Sequence, residues 1–129
     1  MIVQLDIDGT IDQAPEFFRW LTIALKRDSH QVLIVTSRST SNENVRITTE
    51  EMRDYGIVFD KLLLSPEVDD LDPRRLPHDL PRAHRLYVSK LIAAQDYGTE
   101  VLFDDCSITG DLFRKHAPHV QVFRPIPKR

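Results

Sequence analysis

The chain has 129 residues and is 41% hydrophobic, the size and apolar content of one domain around one core, so a single domain over 1–129 is expected. Charged residues make up 29% with both signs interspersed and a formal net charge of −3, which gives no strong sign of nucleic-acid binding through a basic surface. Cys106 is the only cysteine, which excludes an intrachain disulfide and a cysteine-rich zinc site.

The apolar stretch Met1 to Leu5, which holds the first apolar run Ile2 to Leu5, is too short for a signal peptide's apolar region and lacks a basic flank. No later stretch is long enough to span a membrane, and a cytoplasmic protein is expected. Pro15 is tolerated in a first helical turn, and Phe17, Phe18, Leu21 and Leu25 follow at helical spacing, so a helix is expected from Pro15 to before Asp28. Trp20 on that helix reads as packing. A second apolar run covers Val32 to Val35, and a helix is expected from about Thr48 to Tyr55, capped by Gly56. The run Lys61 to Leu64 leads into Ser65 to Pro81, whose Asp and Pro content predicts an irregular surface excursion.

A third helix is expected after Pro81 as far as Tyr97, with Ala83, Tyr87, Leu91 and Ala94 on one face and Gly98 beyond its end. Val101 to Phe103 is the fourth apolar run, Thr109 to His116 a fourth helix stopped by Pro118, and Val120 to Phe123 the fifth run. The Pro-rich tail after Phe123 reads as loosely ordered. Five short apolar runs alternating with helices predict an α/β, three-layer Rossmann-like fold with a central, mainly parallel five-stranded sheet.

Three strand ends carry chemistry. Leu5-Asp6-Ile7-Asp8-Gly9-Thr10 follows the first strand, and the two Asp side chains converge only if a turn begins there, which Gly9 permits. Val101-Leu102-Phe103-Asp104-Asp105 ends the fourth strand in a second carboxylate pair. Parallel strands would bring both groups to one sheet edge, where α/β sheets bind ligands. Carboxylates gathered there repel and raise one another's pKa values. A hard divalent cation, Mg²⁺ first, resolves that conflict. The strand Leu33-Ile34-Val35 ends in Thr36-Ser37-Arg38, hydroxyls and a guanidinium suited to phosphate oxygens.

This pattern resembles the haloacid dehalogenase-like superfamily, in its small form without a cap domain. Asp6 to Thr10 is similar to that family's first motif, the Thr36 strand to its second, and Asp104-Asp105 to the paired-Asp form of its fourth. The resemblance implies a phosphatase acting on a phosphomonoester through an aspartyl phosphate. Asp6 would be the nucleophile and Asp8 the general acid and base. Asp6, the backbone carbonyl of Asp8 and one or both of Asp104 and Asp105 would hold Mg²⁺. Thr36 would act on the phosphate, with Thr10, Ser37 and Arg38 as substrate contacts. For the family's third-motif cation there are two candidates. Lys90 has the usual residue type but lies close to Asp104 and well inside the predicted helix, whereas Arg85 has the better spacing and less usual chemistry. Without room for a cap, the open site suits a bulky phosphorylated substrate such as a nucleotide, a nucleic-acid end or a phosphoprotein, unless a homo-oligomer partner covers it.

Plainer readings stand beside these. Asp8-Gly9 is a common turn dipeptide, Asp104-Asp105 could be a strand end or helix cap, and Thr36 or Ser37 could cap the next segment. Cys106 reads as a small buried residue, Asp69, Asp70 and Asp72 as a solvated loop, and the five histidines show no zinc spacing. The rival function is a non-catalytic Mg²⁺-binding interaction module. A receiver domain is disfavoured, because its acidic pair follows the first strand and not the fourth.

Overall fold

The five apolar runs are the five strands of one sheet in the computed structural model, which describes residues 1–125. They are β1 (Ile2–Leu5), β2 (Gln31–Ser39), β3 (Lys61–Ser65), β4 (Val101–Phe103) and β5 (Gln121–Phe123), in the order β3-β2-β1-β4-β5. Every pairing is parallel. The helices are α1 (Pro15–Arg27), α2 (Asn42–Tyr55), α3 (Val88–Tyr97) and α4 (Ser107–His116).

Strand alternation sorts the helices into two layers. Val3 and Leu5 of β1 and Val32 and Ile34 of β2 pack with Phe18 and Leu25 of α1 and Met52 of α2. On the opposite face, Leu102 of β4 meets Leu91 and Ala94 of α3 and Phe113 of α4, while Leu33 and Val35 meet Ala93. Each of the Val, Leu, Ile, Phe and Met side chains among them, once buried, contributes about 1.5–3 kcal/mol. Gln4 is the polar exception in β1. It is fully buried and satisfied, donating from Nε2 to the Lys90 carbonyl at 3.2 Å and accepting from Thr99 Oγ1 at 2.8 Å.

Several boundaries differ from the sequence expectation for identifiable reasons. α2 begins at Asn42 and not near Thr48, because Ser41 caps it by accepting from the Asn44 N–H at 3.0 Å. Its first turns are polar or exposed and leave no apolar period to read. β2 continues past Val35 to Ser39, with a register shift against β3 between those residues. The segment after Pro81 is a 3₁₀ helix over Arg82–Tyr87, and α3 proper starts only at Val88. The excursion from Ser65 holds two short 3₁₀ turns, Val68–Asp70 and Pro73–Arg75. Among the described residues the connections between strands carry only the α-helices, 3₁₀ turns and loops.

Trp20 is 64% exposed and Phe17 is also exposed, against the packing role expected of Trp20. The core takes the stripe running through Phe18, Thr22 and Leu25 with Leu21 beside it, and the face of α1 that carries Phe17 and Trp20 looks outward. Cys106 is half-buried and not fully buried. The tail expectation falls mainly on 126–129, outside the described residues.

Candidate active site and metal centre

The strand register assembles the site. Leu5 pairs with Ile34 on one side and with Phe103 on the other, so Asp6 and Asp104 are the first residues beyond two adjacent parallel strands. Asp6 N–H donates to the Phe103 carbonyl at 3.0 Å, locking that alignment. The chain order also reverses between β1 and β4, the crevice where open α/β sheets place ligands.

The turn after β1 is shaped by Gly9, whose φ is +84°. A Cβ there would lie 2.2 Å from Asp105 Oδ2 and 2.5 Å from its Cγ, so only glycine lets the β1 loop approach the second carboxylate pair. Thr10 is wholly buried beneath that turn. Its hydroxyl donates to Asp6 Oδ2 at 3.3 Å and accepts from the Asp105 N–H at 3.2 Å. The side chain of Thr10, expected as a substrate contact, ties the two acidic segments together.

Oxygens of Asp6, Asp104 and Asp105 lie within 4.8 Å of one another. Lys90 Nζ donates to Asp6 Oδ1 at 2.8 Å and to Asp104 Oδ2 at 2.7 Å, and its side chain is only 3% exposed. Asp104 Oδ1 accepts from the Cys106 N–H at 2.9 Å. Burial pushes the Asp6 carboxyl up to about 7, with Lys90 opposing the rise and Asp104 adding to it. Burial acts to lower the Lys90 ammonium, but Asp6 and Asp104 together hold it above the ordinary lysine value. One ammonium is therefore shared by two of the three clustered carboxylates, and the negative charge it leaves unanswered matches a divalent cation with oxygen ligands. The residues present fit Mg²⁺ by donor type and charge. The Asp8 carboxylate is not one of the three; the resemblance calls only on its backbone carbonyl.

Lys90 is the third residue of α3, in its first turn, because the helix starts later than the sequence suggests. Gln4 holds the Lys90 carbonyl from the middle of β1. Arg85 lies in the preceding 3₁₀ helix, and among the described residues it makes no ion pair with these carboxylates. The two third-motif candidates are thus separated by the structure: Lys90 is in the carboxylate cluster and Arg85 is outside it.

A cavity of about 540 Å³ opens over the cluster, lined by Asp6, Asp8, Thr36, Ser37, Lys90 and Arg124 among others. Thr36 is buried and its Oγ1 accepts from the Arg38 N–H at 3.2 Å. Ser37 Oγ is buried without a partner, a hydroxyl with free hydrogen-bonding capacity beside the cavity. Asp8 is tied to Arg38 through Nε at 3.0 Å and Nη2 at 2.7 Å. That hydrogen-bonded fork is the main reason its carboxyl sits below the usual carboxylate range. Sequence reasoning did not single out Arg124, whose Nε donates to the Asp105 carbonyl at 3.0 Å. The available signal was its place directly after the fifth strand, since every strand of a parallel sheet ends at the same edge.

No family model matches the sequence, and no curated protein matches it. The fold is similar to a chain in a solved Pnkp1/Rnl/Hen1 complex, with a TM-score of 0.66 and 17% identity over 99% of this chain and 46% of that one. A second structure, of the Pnkp1/Rnl/Hen1 RNA repair complex, gives a TM-score of 0.65 and 17% identity over 96% of this chain and 42% of that one. This chain thus spans less than half the length of either. At that identity the likeness establishes the α/β fold. No helix among the described residues is long and apolar enough to cross a membrane.

Proposed function

We propose that the chain is a Mg²⁺-dependent phosphomonoesterase of the haloacid dehalogenase-like type, acting on the terminal phosphate of a nucleic-acid end. The observation that carries the reading is the cluster of Asp6, Asp104 and Asp105 with Lys90 bridging two of them at the switch point of a parallel sheet. The open cavity supports a bulky substrate. The fold-level likeness to a chain of an RNA repair complex favours a nucleic-acid end over a small metabolite.

In this reading an Asp6 carboxylate oxygen attacks phosphorus while the bond to the ester oxygen breaks. The departing oxygen takes a proton from the Asp8 carboxyl, leaving Asp6 as a mixed anhydride. Water then gives a proton to the Asp8 carboxylate as it attacks phosphorus, and Asp6 leaves as the carboxylate with inorganic phosphate released. The Arg38 fork lowers the Asp8 carboxyl, which makes it a stronger acid toward the departing oxygen in the first half and favours the ionised form that the second half starts from. Lys90 keeps Asp6 oriented and offsets its charge, while the Thr36 and Ser37 hydroxyls face the phosphate oxygens. Mg²⁺, held by Asp6, the Asp8 carbonyl and Asp104 or Asp105, would supply electrostatic relief as one anion approaches another.

The test is phosphate release from an aryl phosphate and from short oligonucleotides carrying terminal phosphates, with and without Mg²⁺, for the parent chain and Asp6→Asn. Release that needs Mg²⁺ and vanishes in the variant is expected. A folded, Mg²⁺-binding protein that releases nothing from any of these would overturn the catalytic reading in favour of an interaction module.

A further inference from the structure

Arg38 was expected to contact substrate, yet its donors are already engaged. The Nε–H goes to Asp8 Oδ2 at 3.0 Å, and Nη2 donates to Asp8 Oδ1 at 2.7 Å and to Glu51 Oε1 at 3.4 Å. Nη1 donates to Glu51 Oε2 at 2.7 Å and to Thr48 Oγ1 at 3.1 Å. A guanidinium has five N–H groups, so none is left for a phosphate oxygen. Its charge is likewise answered by two carboxylates. If Arg38 existed to attract an anionic ester, Glu51 would oppose that purpose, whereas for holding Asp8 it supplies an anchor.

We infer that Arg38 is a positioning residue for Asp8, and that Glu51 and Thr48 of α2 position Arg38. The inference rests on the phosphatase reading and gives these three residues a role in it. Thr48 and Glu51 are one helical turn apart and present one face. Thr48 is buried, and the Arg38 and Glu51 side chains are largely shielded, whereas the Asp8 side chain is 61% exposed toward the cavity. The shielded end of the relay is therefore α2, and the exposed end is the carboxyl that must meet the leaving oxygen and then water. The bidentate fork fixes the carboxylate plane as well as its position, which a point charge would not do. Arg38 lies in the stretch of β2 where the register against β3 shifts, between Val35 and Ser39.

The experiment uses the whole chain with Mg²⁺, phenyl phosphate as substrate and inorganic phosphate as competitor, comparing Arg38→Ala, Arg38→Lys, Glu51→Ala and the double alanine variant. Misplacing a catalytic group by about 1 Å costs about 100-fold. Arg38→Ala should accordingly lower kcat by about that factor, with KM and the inhibition constant of phosphate within about twofold. Arg38→Lys should not rescue, Glu51→Ala should lower kcat in the same manner but less, and the double variant should be no slower than Arg38→Ala. Glu51→Gln, which keeps an acceptor for Arg38, provides a folded variant if Glu51→Ala melts early, and it too should lower kcat alone. A rise in KM and in the phosphate inhibition constant with kcat retained, rescue by lysine, or losses that multiply in the double variant would each overturn the inference. Any of these in an active parent chain removes the inference alone, whereas a parent chain inert on all phosphate esters removes the phosphatase reading and the inference with it.

Discussion

Replacing Lys90 with methionine keeps the length of the side chain and removes its charge, leaving Asp6 and Asp104 facing each other without a cation. The substitution deletes the 2.8 Å and 2.7 Å hydrogen bonds from Nζ, between side chains that are 3%, 6% and 0% exposed. Removing one partner from a buried ion pair costs about 3–5 kcal/mol, because the charge left behind stays desolvated. The cost depends on pH in a definite direction. Asp6 is held at about 7 in the folded protein against 3.8 ordinarily, so the folded state binds this proton more tightly than the unfolded one. Its contribution to stability is full below 3.8 and is lost as the pH rises through about 7. Lys90 is the leading influence pulling that value down, so its removal raises Asp6 further and deepens the loss toward alkaline pH. Urea unfolding of metal-free protein at about pH 5 and about pH 8 should show the full cost of Lys90→Met at the higher pH and a smaller one at the lower. Excess Mg²⁺ should recover part of the loss at the higher pH by binding the folded state. A variant as stable as the parent at both values, or one that loses more at the acidic value, would refute the electrostatic account of the cluster.

Gly9→Ala forces a Cβ into the space of the Asp105 carboxylate and sets a residue with a side chain at φ +84°. It should cost about 1–2 kcal/mol in a melting experiment, while calorimetric Mg²⁺ titration should show binding greatly weakened. Asp60 accepts from Lys26 Nζ at 2.6 Å and from the Val32 N–H at 2.7 Å, and the Lys26 bond chiefly holds its carboxyl below the ordinary value. Its contribution is therefore present above 3.8 and is lost as the pH falls through the depressed value. Asp60→Asn should lose about 0.5–1 kcal/mol at neutral pH, discounted for partial exposure. In acid denaturation curves that gap to the parent should close at the low-pH end.

The sheet was legible because strands buried on both faces must be apolar along their length, and Val101–Phe103 stands in the structure with the bounds read from its residues. The carboxylates were legible for a related reason. Ionisable residues directly after such strands sit at the sheet edge, so the sequence by itself assigns Asp6, Asp8, Asp104 and Asp105 to one edge. What tertiary structure decided was partnership. Lys90 looked too deep in a helix until the segment after Pro81 folded as 3₁₀ and moved the α-helical start to Val88. Thr10 and Arg38 carry groups that suit a ligand equally well, and only packing turned them inward to Asp6, Asp105, Asp8 and Glu51. Local sequence specifies backbone preference and hydrophobic period, both short-range properties. Which donor meets which acceptor across 30 or 84 residues of chain is set by strand register and helix placement, which no local pattern encodes.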